Sequence, residues 1–78
     1  MAKIIDFNQA TRINLRFKKE NIAAVLHLHA GCAYCVPEVE WEHDDDMERI
    51  YAIMNELLNP HFIHVKPDEW NPHNVVVY

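Results

Sequence analysis

Hydrophobic and polar positions alternate early in the chain. In RINLRFK, residues 12–18, Ile13, Leu15 and Phe17 interleave with Arg12, Asn14, Arg16 and Lys18, the period of two expected of a half-buried strand. KKEN at 18–21 suits a turn. IAAVLHLH, 22–29, then puts Ile22, Ala24, Leu26 and Leu28 on one face and Ala23, Val25, His27 and His29 on the other, which predicts a strand covered on much of both sides. A helix capped by Asn21 and stopped at Gly31 is the competing assignment. VEWEH, 39–43, alternates again, with Val39 and Trp41 opposite Glu40 and Glu42.

After Asp44, Asp45 and Asp46 the period changes. Met47, Ile50, Tyr51, Met54, Leu57 and Leu58 recur at helical spacing. The aspartates suit an N-terminal cap and the positive end of the helix dipole, and Asn59-Pro60 ends the ladder. HFIHVK (61–66) reads as a strand, PDEWNPHN (67–74) as a loop, and VVVY (75–78) as a strand pairing back in a hairpin. The expected fold is α+β: a small, mostly antiparallel β-sheet with one amphipathic helix, about residues 45–59, packed on one face. Its stripe should pack on Leu15, Phe17, Leu26, Leu28, Ile63 and Val76.

With 78 residues, half of them hydrophobic and only one a glycine, the chain has the composition of one globular domain, 1–78, rather than of a disordered segment. No internal repeat stands out in the sequence. The opening MAKIIDFNQ resembles neither a secretory h-region nor a lipidation motif, and no apolar run reaches the roughly 18–20 residues a membrane span needs. The expectation is a cytoplasmic protein with reduced thiols, since two cysteines cannot build a dense disulfide framework.

Charge placement narrows the function. The net charge is −5. Lys3, Arg12, Arg16, Lys18 and Lys19 make the first 21 residues basic, whereas EVEWEHDDDME at 38–48 carries seven acids and no base. Direct nucleic-acid binding, which needs a dominant basic surface, is disfavoured, and a basic protein partner is favoured.

HLHAGCAYC, 27–35, holds two histidines and both cysteines. On a strand His27 and His29 point the same way about 7 Å apart, and Cys32-x-x-Cys35 has the spacing of a thiolate knuckle, so Cys32, Cys35, His27 and His29 form a candidate zinc set; His43, His61 and His64 could substitute for either histidine. Four ligands within nine residues would, however, close around one short turn, whereas structural zinc sites usually join two distant pairs. Thiols packed as small hydrophobes at a strand end are the simpler reading, so no cofactor is expected and zinc is the alternative. A strand followed at once by C-x-x-C resembles the active-site region of thioredoxin-like redox proteins. That resemblance implies dithiol chemistry at Cys32 and Cys35, but it spans some 14 residues, and Pro37 and VEWEH break the helix that the family opens at its first cysteine.

Signatures of other enzymes are missing: one glycine cannot build a phosphate-cradling loop, and no nucleophile elbow or dinucleotide fingerprint is present. The DDD run lacks the spacing of an EF-hand. No catalytic constellation is found.

The acidic segment is the most distinctive feature. Glu38, Glu40 and Glu42 should repeat about every 7 Å along one strand face, with Asp44, Asp45, Asp46 and Glu48 extending the row. A solvated, solubilising face would look similar, but the regular spacing is close to that of backbone phosphates. In design the row is similar to small acidic phage-encoded inhibitors of restriction and CRISPR systems, which occupy a nucleic-acid site on their target. Trp41 should face the core, and Trp70, between Pro67 and Pro72, either covers the open end of the sheet or anchors an interface. The sequence thus predicts a non-enzymatic interaction module, an inhibitor or regulator, with a basic protein partner; a homodimer is compatible with it.

Overall fold

The computed structural model describes residues 4–28 and 37–78. Helix α1 (Phe7–Lys19) leads into strands β1 (Ala24–His27) and β2 (Glu38–Trp41); a 3-10 turn (Asp44–Asp46) opens helix α2 (Met47–Leu58), a second (Asn59–His61) closes it, and β3 (Val65–Pro67) and β4 (Val75–Val77) follow. β1 pairs antiparallel with β2, with Leu26 opposite Val39, and β3 with β4, with Val65 opposite Val77. An isolated antiparallel bridge, Glu38 to Asn74, joins the two hairpins. It is flanked by Val39 N–H donating to the His73 carbonyl at 2.8 Å and Val75 N–H to the Pro37 carbonyl at 2.9 Å. The strands thus form two two-stranded sheets, β1–β2 and β3–β4, rather than the one sheet expected, and the bridge sets them side by side in the order β1, β2, β4, β3. The α+β class is as the sequence predicts, but two helices pack on the strands rather than one.

The segment read as a strand, 12–18, is the second half of α1. Its apolar positions are compatible with either period, and burial decides between them: Ala10, Ile13 and Phe17, at helical spacing, are buried, while Leu15 stays 60% exposed. A strand would have buried Leu15 with its neighbours. The local signal was the Asp6-x-x-Gln9 pair, a capping box in which Asp6 Oδ1 accepts from the Gln9 N–H at 2.7 Å and Gln9 Oε1 from the Asp6 N–H at 2.9 Å. Arg16, Lys18 and Lys19 sit at the negative end of the dipole. The helix stops where Asn21 turns left-handed (φ 58°) and the Ile22 N–H reaches back to the Phe17 carbonyl at 2.8 Å, a Schellman-type ending.

α2 matches its expected span and buries Ile50, Tyr51, Ile53, Met54 and Leu58. Leu57 and Met47 lie at the margin of the core, as does Leu28, so the buried stripe is rotated toward Ile53. No aspartate side chain caps the helix; Asp44 is engaged elsewhere. The expected strand 61–66 is shorter, because Pro60 favours one more 3-10 turn and Phe62 becomes left-handed (φ 62°), leaving only Val65–Pro67 extended.

One core holds both halves together. Ile13, Phe17, Ile50, Met54, Leu58, Val39 and Val75 are the largest fully enclosed side chains, each contributing about 1.5–3 kcal/mol by leaving water. The inward residues of every strand, Leu26, Val39, Val65 and Val75, join this cluster. Both helices therefore cover one side of the strands, and the outward residues form an open face. Arg16 clamps the helices: its Nε donates to Glu20 Oε2 at 2.6 Å and its Nη2 to Glu56 Oε2 at 2.9 Å. The guanidinium pKa is raised, mainly by the Glu20 hydrogen bond.

Candidate functional site

β2 positions the acidic row by simple alternation. Val39 is buried and Trp41 half-buried against the core, which turns Glu38 and Glu40 outward. The Glu42 N–H donates to the Ala23 carbonyl at 3.1 Å, continuing the ladder one pair further and leaving the Glu42 side chain exposed. Glu38 and Glu40 thus share the open face about 7 Å apart, and Glu42 follows, exposed, one residue past the end of β2. Across the pair, His27 stands opposite Glu38 and Val25 opposite Glu40, and His27 Nε2 lies 3.5 Å from Glu40 Oε2.

The end of the row is held by an aromatic joint. The Trp41 indole stacks on the His73 imidazole with centroids 3.9 Å apart and planes at 29°, and its Nε1–H donates to Asp44 Oδ1 at 2.8 Å. His73 Nδ1 lies 2.9 Å from the Val39 carbonyl oxygen, an acceptor only, so Nδ1 carries the proton of that bond. Asp44 is thereby fixed by Trp41. Asp45 and Glu48 remain exposed, and Asp46 is half-buried. Among the described residues, Glu42, Asp45, Asp46 and Glu48 make no ion pair with a lysine or arginine; Arg49 turns to Glu20 at 3.7 Å instead.

The rest of the open face has the opposite character. From β3 and β4 it presents Lys66, Val76 and Tyr78, with Lys66 Nζ 5.3 Å from the Tyr78 ring centroid and His64 stacked on the same ring at 5.4 Å. Sequence reasoning missed this cluster and His73 because both depend on strand pairings between distant residues. Trp70 is 92% exposed in the β3–β4 loop.

Tyr51 braces that loop from α2. Its hydroxyl donates to the Pro72 carbonyl at 2.7 Å, and burial, with a smaller push from Asp68, raises the phenol pKa to about 12. Beside it, between α2 and Pro67, lies a shallow groove of about 340 Å³ in which Glu48 and Tyr51 are the titratable groups.

Of the zinc candidates, His29, Cys32 and Cys35 lie outside the described residues. His27 faces the acidic row, His61 sits in the 3-10 turn and His64 on Tyr78. Among the described residues no three His, Cys, Asp or Glu side chains gather as a metal site. No helix is long and apolar enough to cross a membrane. No protein-family model, curated protein or solved structure matches this chain.

Proposed function

We propose that the protein is a non-enzymatic interaction module whose acidic row, Glu38, Glu40 and Glu42 flanked by Asp45 and Glu48, docks on a basic surface of a partner protein of the kind that otherwise holds nucleic acid. The observation that carries this reading is the row's placement: carboxylates at regular intervals on a strand anchored by Val39 and by the Trp41–His73 joint, with Arg49 and Arg16 engaged by Glu20 and Glu56 instead. Carboxylates held at near-phosphate spacing can meet several Lys or Arg side chains at once and steer their approach. Trp70, exposed in its loop, would add an apolar anchor.

The test is charge reversal, Glu38→Lys with Glu40→Lys and Glu42→Lys, on exposed positions where substitution leaves the fold in place. The partner captured by the wild-type chain and identified by mass spectrometry should be lost by the triple variant. Wild-type binding should weaken as salt rises and compete with a DNA or RNA duplex. A folded triple variant that keeps the partner with the same affinity and salt dependence sinks the proposal and leaves the row as a solubilising face.

A further inference from the structure

We infer that the chain is built as two copies of one α-β-β unit related by an approximate two-fold axis through the Glu38–Asn74 bridge, and that in each copy one helix asparagine shuts the outer edge of the sheet against an added strand. The inference is independent of the acidic row.

The correspondence is residue by residue. Shifting α1 by 41 positions onto α2 pairs Ala10 with Tyr51, Ile13 with Met54 and Phe17 with Leu58, all buried. The same shift pairs the left-handed residues Asn21 and Phe62. It also pairs Ile22 N–H to the Phe17 carbonyl, 2.8 Å, with Ile63 N–H to the Leu58 carbonyl, 3.3 Å. In the strands the pairing registers keep the same shift, so that Ala24 corresponds to Val65 and Leu26 to Pro67 while Val39 corresponds to Val75, and the two asparagines described next meet their strands two residues apart. Exchanging the copies then turns the bond Val39 N–H to His73 into the bond Val75 N–H to Pro37, which is the signature of a two-fold between antiparallel strands.

The same device ends both sides. Asn14 on α1 accepts from the Leu26 N–H at 2.7 Å and donates to the Leu26 carbonyl at 3.1 Å. Asn55 on α2 accepts from the Val65 N–H at 2.9 Å and donates to the Val65 carbonyl at 3.0 Å. Glu42 N–H bonding to Ala23, and His64 exchanging both bonds with Tyr78, set the alternation that points the backbone groups of Leu26 and Val65 away from their partner strands. The outward positions at Ala24 and Pro67 offer no donor either, because the Ala24 N–H bonds to the Ile22 carbonyl at 2.9 Å and Pro67 has no N–H. An amide side chain presents one acceptor and one donor, as a strand residue does, so each asparagine occupies a single rung of the outer edge and denies that rung to an added strand. Asparagine is a mediocre helix former, and its occurrence at the same helical position in both copies follows from this task.

The experiment uses the full chain, with amide hydrogen exchange and sedimentation velocity read together. In the wild type the Leu26 and Val65 amides should be protected although they lie on outer edges. Asn14→Ala should speed Leu26 exchange about tenfold, the change expected for a lost bond worth about 1.4 kcal/mol, without altering Val65, and Asn55→Ala should do the converse. Each folded variant should also gain a concentration-dependent dimer. Faster exchange in strictly monomeric variants would reduce the asparagines to internal ties and overturn the edge-guard role; association in only one variant would overturn the equivalence of the copies. If an alanine variant does not fold, Asn14→Gln and Asn55→Gln displace the amide by one methylene and are judged by the same two readouts.

Discussion

The ring of Trp41 lies on the ring of His73, 3.9 Å between centroids, and joins β2 to the turn that precedes β4. Because Trp41 is half-buried and also bonded to Asp44, Trp41→Ala should destabilise the fold by about 2 kcal/mol, less than the cost at a fully buried tryptophan. Denaturant midpoints check the cost. Iodide quenching checks the geometry: a Trp70→Phe protein, retaining Trp41, should quench far less than a Trp41→Phe protein, retaining the exposed Trp70.

Leu58 is enclosed and Leu57 is marginal. Leu58→Ala should cost about 2–5 kcal/mol and Leu57→Ala less than about 1.5 kcal/mol. Leu15→Lys, on the exposed side of α1, should change stability by less than about 0.5 kcal/mol; a large loss there would restore the strand reading of 12–18.

Asp6→Ala removes the acceptor for the Gln9 N–H. The expected loss is about 0.5–2 kcal/mol, accompanied by faster amide exchange confined to the first turn of α1.

Phe62 holds a left-handed backbone with its ring 79% exposed. A bulky residue pays about 1 kcal/mol for that conformation, and asparagine tolerates it better. Phe62→Asn should therefore raise the melting temperature, and it would place at 62 the residue that already occupies the equivalent position, Asn21.

Tyr51 gives stability a dependence on alkali. Its phenol titrates near 10 in the unfolded chain and at about 12 in the folded one, so between these values the folded state binds more protons and unfolding becomes easier as pH rises. The contribution is complete below pH 10 and is lost as pH approaches 12. Tyr51→Phe should flatten this part of a stability–pH curve while lowering stability at neutral pH through the lost bond to Pro72.

What the sequence determined by itself is what local physics can decide. The stripe from Ile50 to Leu58 repeats at 3.6 residues and makes a helix wherever it packs; Pro60 must end it; Val39 and Glu40 must part to opposite sides of β2, because charge stays in water and valine does not. The acidic row was legible for the same reason. The period of 12–18 was not, since Ile13 and Phe17 can share a face in a strand or a helix, and only the core that buried them without Leu15 settled it. The repeat was hidden as well. At the 41-residue shift Asn14/Asn55 and Ile22/Ile63 are the identities between residues 7–22 and 48–63, while the core pairs kept burial and changed side chain, Ala10 against Tyr51 even in size. The Trp41–His73 joint, the bridge between Glu38 and Asn74 and the asparagines on the sheet edges belong to the tertiary structure alone, since each joins segments whose meeting depends on how the strands pair.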